Sequence, residues 1–138
     1  DTYNMNPQSA AAALQALAGM AASGRRIAVF GAMRELGTHS EALHRALGAE
    51  VVQTKQDLLV VVGADAAPIA DGAVAAGMPV ARVHRVADVE AAFTLLRGLA
   101  RVGDRILCKA SRKVALDRLV DRLVAALEGG AAATETGA

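Results

Sequence analysis

The sequence predicts an open, doubly wound α/β fold in which helices cover both faces of a mainly parallel sheet. Three observations support this prediction. Short β-branched and aliphatic runs alternate with longer helical patterns, the runs are nearly continuous in apolar residues, and two of them end at a glycine. A strand that is buried on both faces has a continuous apolar sequence, and parallel strands require a long crossover connection. The alternation is therefore typical of right-handed βαβ units and a Rossmann-like sheet.

The first helix and the first strand are predicted from their boundaries. Asn6 is a favoured N-cap residue and Pro7 is tolerated at the first helical position, so the pair predicts a helix start. Ser23-Gly24 has the small residues that commonly close a helix. The apolar run Arg26–Phe30 predicts the strand that follows.

The second helix and the second strand lie between residues 38 and 63. Thr38 and Glu41 have the Ser/Thr-x-x-Glu spacing of a capping box, which predicts a helix start. Gly48 is a weak point within that helix. Residues 57–62 are almost entirely apolar and predict a strand that is buried on both faces and ends at Gly63.

The remainder of the chain repeats the alternation. A third helix is predicted over about 66–76, with Pro68 in its first turn. The elements predicted after it are a strand over 79–83, a helix over 89–99, a strand over 105–109 and a helix over about 114–127. Residues 129–138 are small and polar, which predicts a disordered tail and leaves residues 1–128 as one domain.

Composition limits the classes of protein to which the chain can belong. Its 138 residues suffice for one domain, and 15 Lys and Arg against 14 Asp and Glu give no field that would attract nucleic acid. Cys108 is the single cysteine, which excludes a disulfide framework, and its place within a strand predicts a small core residue. No apolar run approaches the roughly 18 residues of a membrane span, and no signal segment opens the chain. We therefore expect a cytoplasmic domain without a membrane span.

The fold also predicts where a ligand would bind. In doubly wound sheets, ligands bind outside the carboxyl ends of the strands. The segments expected there are 31–38, 63–66, 84–88 and 110–113, together with 1–7. Because the chain begins at Asp1 without a methionine, we expect it to be a piece of a longer protein, with a first strand upstream of Asp1.

Residues 1–7 are unusually rich in polar side chains immediately before a helix N-terminus. The backbone N–H groups and the dipole at such a terminus favour a phosphate, and Asp1 could accept hydrogen bonds from ribose hydroxyls. A structural interpretation is also open, in which Asn6 is only an N-cap and Asn4 is only an Asx-turn residue.

Four segments together resemble the C-terminal domain of the Mur ligases. Residues 1–7, DTYNMNP, resemble the family's D-x-Y-N-A-N-P signature, with Met5 in place of Ala. Residues 27–37 resemble its apolar strand followed by G-D-M-x-E-L-G, residues 40–44 its S-E-x-L-H, and residues 107–112 its L-V-K-G-S-R. Two residues depart from the pattern, since Ala32 replaces the usual Asp and Ala110 the usual Gly. The resemblance extends to about residue 127.

The resemblance implies a role in a cytoplasmic, ATP-dependent enzyme of peptidoglycan synthesis. Within the family it is greatest to the ligases that join D-alanyl-D-alanine to UDP-N-acetylmuramoyl-tripeptide through an acyl-phosphate. It implies an N-terminal domain for the UDP-sugar and a central domain that holds ATP and Mg²⁺, while the C-terminal domain closes over ATP and brings the dipeptide. No G-x-x-x-x-G-K-[ST] loop occurs in the chain, so we expect the isolated domain to be inactive.

The resemblance also implies site residues. Those implied to contact the nucleotide are Asp1, Tyr3, Asn4 and Asn6, and those implied to face the substrate are Lys109, Ser111 and Arg112. The physical chemistry of the second group agrees, since a guanidinium offers a bidentate fork to a carboxylate. The structural alternatives are that Ser111 only caps a helix and that Arg112 is a solvated charge.

Other conspicuous residues favour structural interpretations. His39 and His44 are expected on the surface of the second helix, and Arg25-Arg26 is expected to be a solvated pair. His84 follows a strand at a position where a site residue would be plausible, but the sequence shows no partner for it.

Two alternative functions remain open. The first is a non-catalytic doubly wound interaction module, which the departures at Ala32 and Ala110 favour. The second is a relative within the same ligase superfamily that uses another amino substrate.

Overall fold

A computed structural model of the chain describes residues 5–111, 116–126 and 133–136, which contain five strands and five α-helices. The strands are β1 (Arg26–Phe30), β2 (Leu58–Val62), β3 (Val83–Val86), β4 (Arg105–Lys109) and β5 (Ala133–Thr136). The helices are α1 (Pro7–Gly19), α2 (Ser40–Gln53), α3 (Ala67–Ala75), α4 (Val89–Leu99) and α5 (Leu116–Ala126). No α-helix in these ranges is long and apolar enough to cross a lipid bilayer.

The sheet is entirely parallel and has the strand order β3-β2-β1-β4-β5. The first two crossovers place β2 and β3 successively on one side of β1. The third crossover, through α4, returns the chain past β2 and β1 to β4 on the other side. This reversal makes the sheet doubly wound and confirms the fold class that the alternating sequence pattern predicts.

Two apolar layers enclose the sheet because successive strand residues point to opposite faces. In β1, Ala28 and Phe30 face the layer that contains α1, α2 and α3. Ile27 and Val29 face the layer that contains α4 and α5. All four are fully buried, which explains why the strand has no polar alternation.

The helices α2 and α3 are in backbone contact at two glycines. A Cβ atom added to Gly48 would lie 2.0 Å from the carbonyl oxygen of Ile69, and one added to Gly72 would lie 2.0 Å from that of Arg45. Gly48, a weak point in the helix by propensity alone, is therefore the residue that lets α3 approach α2.

The third strand begins at Val83, whereas the sequence predicts a strand over 79–83. Pro79 is followed by a 3₁₀ turn over Val80–Arg82, in which the N–H of Arg82 donates to the carbonyl of Pro79. The strand itself, Val-His-Arg-Val, lies at the sheet edge and is partly exposed. An edge strand needs no continuous apolar run, and for that reason the predicted boundaries are wrong.

The last strand lies within the segment that the sequence predicts to be disordered. Ala133–Thr136 pairs in parallel with β4, so the prediction of disorder is wrong for these four residues. Backbone hydrogen bonds to an open strand edge require no particular side chains, and the small polar composition therefore does not prevent the pairing. The last helix is predicted over about 114–127, and Leu116–Ala126 is helical in the part of the chain that the structure describes.

The prediction that Arg25 and Arg26 are a solvated pair is also wrong. The Arg26 guanidinium donates to the carbonyls of Leu17, at 3.0 Å, and Met20, at 2.5 Å, where α1 ends. The Arg25 guanidinium donates to the carbonyl of Leu99 at 2.6 Å and to Asp104 at 2.8 Å. Both arginines therefore join the ends of helices to the amino edge of the sheet.

Asp104 is 2% exposed and accepts hydrogen bonds at 2.8 Å from the backbone N–H groups of Arg25 and Arg101 as well as from the Arg25 side chain. Burial alone would raise the pKa of the Asp104 carboxyl. The hydrogen bonds and the positive charge of Arg25 outweigh burial, and the pKa of Asp104 lies below its ordinary value.

We predict that Gly48→Ala destabilises the protein by about 3 kcal/mol or more, because the added methyl must push α3 away from α2. The matched control is Gly98→Ala in α4, where an added Cβ has no neighbour within 4 Å. The control is expected to be neutral or to stabilise by up to about 1 kcal/mol. Urea unfolding of the three proteins measures both effects, and equal stability of the two variants would contradict the proposed close contact.

We predict that Asp104→Asn costs about 2–4 kcal/mol at neutral pH, because Arg25 and two backbone donors lose a buried anion. Since the folded-state pKa of Asp104 lies below the ordinary 3.8, the contribution of its carboxylate is complete above that value. This stabilising contribution is lost as the pH falls through the folded-state pKa of Asp104. The difference in unfolding free energy between Asp104→Asn and wild type therefore becomes smaller at that pH.

The control is Asp71→Asn, which removes an ion pair with Arg85 whose two side chains are about half exposed. That change is expected to cost about 1 kcal/mol or less. Denaturant unfolding between pH 2.5 and 7 distinguishes the variants. If the loss of unfolding free energy in Asp104→Asn, relative to wild type, increased as the pH fell, this account would be refuted.

Candidate functional site

The loops after β1 and β4 diverge at the carboxyl edge of the sheet. The chain leaves β1 toward α2 on one face and leaves β4 toward α5 on the other. Two backbone hydrogen bonds join the loops before they separate. The N–H of Gly31 donates to the carbonyl of Lys109, and the N–H of Ser111 donates to the carbonyl of Ala32, both at 3.0 Å. Doubly wound folds bind ligands outside the carboxyl ends of the strands where the strand order reverses, so these joined loops mark a candidate site.

Two residues that the family resemblance implies to face the substrate, Lys109 and Ser111, lie where these loops are joined. Both are buried, Lys109 as the last residue of β4 and Ser111 two residues later. The Ser111 hydroxyl oxygen has no hydrogen-bond partner among the residues that the structure describes. An unsatisfied buried hydroxyl is costly, which makes this oxygen a candidate for a ligand contact. Arg112, the third member of the predicted group, lies outside the described residues.

The predicted nucleotide group is described only at Asn6. Asp1, Tyr3 and Asn4 lie outside the described residues. The Asn6 side-chain oxygen accepts from the N–H of Ser9 at 2.8 Å, and the Ser9 hydroxyl accepts from the N–H of Asn6 at 3.2 Å. This reciprocal pair is a capping box, as the structural interpretation of Asn6 predicts.

The N-terminus of α1 lies at the same edge of the sheet as the loops after β1 and β4. The C-terminal carbonyls of α1 contact Arg26 at the amino end of β1, so the helix runs antiparallel to the strand and begins at the carboxyl edge. Met5, just before the helix, is buried in the same apolar cluster as Ala32 and Met33. Met5 and the start of α1 therefore lie at the carboxyl edge of the sheet.

The loop between β1 and α2 takes a different form from the predicted capping box. A 3₁₀ turn occupies Gly37–His39, and the N-cap of α2, His39, makes no side-chain hydrogen bond. Glu35 has a backbone φ of +59° and Gly37 one of +60°, so both residues adopt the left-handed conformation. Thr38 lies within this 3₁₀ turn and is not the N-cap of α2, so the predicted capping box does not form.

His44 is 1% exposed, so the expectation that it lies on the surface is wrong, whereas His39 is exposed as expected. The Nε2 atom of His44 accepts a hydrogen bond from the N–H of Met33 at 2.9 Å. Its Nδ1 lies 2.6 Å from the carbonyl oxygen of Ser40. The loop after β1 is thus attached to α2 through one imidazole.

Two shallow clefts of about 320 and 280 Å³ flank the loop after β1 and share Ala32, Arg34 and Asp65. The exposed side chains of Arg34 and Asp65 form an ion pair with a nitrogen–oxygen distance of 3.3 Å. The larger cleft also reaches Asp88, whose carboxylate caps α4 by accepting from the N–H of Ala91 at 2.8 Å. The edge therefore presents charges of both signs over small apolar side chains.

The described residues do not provide a metal site. Within residues 5–111, 116–126 and 133–136, no group of three or more His, Cys, Asp or Glu side chains could hold a metal ion. Cys108 is fully buried in the sheet, and burial raises the pKa of its thiol to about 12, so it is a core residue and not a nucleophile. His84 is half-buried in β3, where it pairs with Val60, and does not border either cleft.

Comparison with known proteins gives a consistent set of relatives. A family model described as "Mur ligase, glutamate ligase domain" matches residues 1–112. The UDP-N-acetylmuramoyl-tripeptide–D-alanyl-D-alanine ligase of Mycobacterium leprae is 43% identical over 90% of this chain, and the Mycobacterium tuberculosis H37Rv enzyme is 39% identical over 91%. The chain spans 27% and 28% of the length of these two relatives.

Solved structures agree with the sequence relatives. MurF ligase from Thermotoga maritima, crystallised in complex with ADP, has a TM-score of 0.73 and 29% identity over 93% of this chain and 28% of its own. MurF from Acinetobacter baumannii has a TM-score of 0.75 and 27% identity over 91% of this chain and 27% of its own. These similarities confirm the family that the four sequence segments indicate.

We predict that Asn6→Ala lowers the free energy of unfolding by about 1 kcal/mol through loss of the cap, while Asn6→Asp, which keeps an acceptor at the helix N-terminus, preserves it. Gln8→Ala, an exposed change in the same turn, is the control. Thermal unfolding of the three variants measures the effect. If Asn6→Ala were as stable as wild type, the capping box would contribute nothing to α1.

Proposed function

The chain belongs to the Mur ligase family, and on that premise we propose that it is the C-terminal domain of a cytoplasmic ligase that joins D-alanyl-D-alanine to UDP-N-acetylmuramoyl-tripeptide at the expense of ATP. Its relatives with this activity in their names are more than three times as long, so the domain would act together with its own N-terminal and central domains. Alone, it would bind substrates weakly and catalyse nothing.

The domain would contribute binding and orientation to the reaction. ATP, when bound, supplies the phosphoryl group that activates the acceptor carboxylate as an acyl-phosphate. Asp1, Tyr3 and Asn4 would contact the nucleotide from the segment before α1, with Asn6 holding the helix start in place. Mg²⁺ would be held mainly by the central domain, as the resemblance to the family implies.

The substrate side of the site would lie where the loops after β1 and β4 are joined. Lys109, Ser111 and Arg112 would face the incoming dipeptide or the peptide end of the acceptor. The observation that supports this assignment is the buried hydroxyl of Ser111 at the point where the strand order reverses. A carboxylate of the substrate would supply the hydrogen-bond acceptor that this hydroxyl lacks within the described residues.

The experiment uses the full-length protein that contains this domain. We predict that Ser111→Ala raises the KM for D-alanyl-D-alanine about tenfold, because one hydrogen bond to a charged group is lost, and leaves the KM for ATP unchanged. Ser23→Ala, the same substitution at an exposed position near the amino edge, is the control and should change neither constant. Phosphate release with varied dipeptide measures both.

Each other outcome has a distinct meaning. An unchanged dipeptide KM in Ser111→Ala would remove Ser111 from the site. A wild-type protein that turns over ATP only with a different amino substrate would be the relative with another specificity. A wild-type protein without ligase activity would support the interaction module.

A further inference from the structure

Two backbone contacts fix the roles of the His44 nitrogens, while the Ser40 hydroxyl, 3.3 Å from Nδ1, can either donate or accept. The N–H of Met33 can only donate, so Nε2, at 2.9 Å, must be the acceptor. The carbonyl of Ser40 can only accept, so Nδ1, at 2.6 Å, must carry the proton. Both requirements are met by one species, the neutral imidazole with its proton on Nδ1.

The peptide group between Ala32 and Met33 links this imidazole to the candidate site. Its N–H donates to His44, and its carbonyl oxygen accepts from the N–H of Ser111 at 3.0 Å. A peptide group is planar, so the orientation of one end fixes that of the other. Rotation of this group away from His44 would also move the acceptor on which the Ser111 backbone depends.

We propose that His44 is the positioning residue of the carboxyl-edge site, setting the Ala32–Met33 peptide group and through it the loop that carries Ser111. The inference rests on the proposed function for its consequence in catalysis, but its structural content belongs to this chain alone. His44 touches no reacting atom in this account. Its role is to hold a ligand-binding loop in one register.

A purely space-filling role does not account for this arrangement. His44 is 1% exposed and spends both nitrogens on backbone groups, where an aliphatic residue would fill the same volume and leave the buried N–H of Met33 without an acceptor. The charged groups that share its cleft are Arg34 and Glu35 of the same loop and Asp65 before α3. Among the residues that the structure describes, the imidazole hydrogen-bonds to Met33 and Ser40 and not to these charged groups.

Two variants separate positioning from packing. His44→Leu keeps an apolar side chain of similar size and removes both polar contacts. His44→Gln keeps an amide oxygen that can reach the place of Nε2 and a donor that can serve Ser40. The positioning role predicts that the glutamine variant restores what the leucine variant loses, whereas a packing role predicts no such rescue.

The first measurement uses nuclear magnetic resonance of this chain. Imidazole ¹⁵N shifts of wild type should show a neutral ring with the proton on Nδ1. Amide hydrogen exchange at Met33 and Ser111 should be about tenfold faster in His44→Leu and near wild type in His44→Gln, with Val60 in β2 as an unchanged reference. A ring protonated on Nε2, or a Ser111 amide indifferent to both variants, overturns the proposal even if His44→Leu does not fold.

The second measurement uses the full-length ligase. His44→Leu should raise the KM for D-alanyl-D-alanine about tenfold with little change for ATP, and His44→Gln should restore it. Equal effects on both KM values, or no rescue by glutamine, would overturn the positioning role in catalysis. A wild-type enzyme that does not use the dipeptide would refute the proposed function, and the exchange measurement would still decide the role of His44.

Discussion

The pairing of β1 with β2 on one side and with β4 on the other is the constraint on which the structure depends. Because β1 is central and covered on both faces, Ile27–Phe30 must be apolar throughout. The same placement obliges the chain to leave β1 and β4 toward opposite faces. The position of the candidate site at the carboxyl edge therefore follows from the strand order.

Local sequence patterns predict the strands that are covered on both faces of the sheet. They do not predict the bounds of the strands at the sheet edges. The strands β1, β2 and β4 have continuous apolar runs because both faces are covered. The strands β3 and β5 lie at the two edges of the sheet, and β3 is partly exposed. Neither composition nor alternation identifies the bounds of these two strands. A 3₁₀ turn follows Pro79, and the third strand therefore begins at Val83 and not at Pro79 as predicted.

Side chains that bind the backbone are the features that sequence reasoning misses. Arg25 and Asp104 are 79 residues apart, and the partners of Arg26 and His44 include backbone groups, which every residue carries. The spacing of Ser40 and His44, four residues apart on one helical face, is the only local signal of the buried imidazole. Lys109 and Ser111 lie at the carboxyl edge of the sheet. The ligand contacts that the family resemblance assigns remain predictions for both, as they do for Asp1, Tyr3, Asn4 and Arg112.

The two edges of the sheet differ in how their polar groups are satisfied. At the amino edge, the charges of Arg25, Arg26 and Asp104 are bound by one another and by helix termini, so they hold the layers together. At the carboxyl edge, backbone groups bind one another across two loops, and the Ser111 hydroxyl is left over among the described residues. The buried ion pair of Arg25 and Asp104 thus lies at one edge, and the candidate site lies at the other. This separation lets the loops of a doubly wound domain specify a substrate without altering the contacts that hold the sheet to its helices.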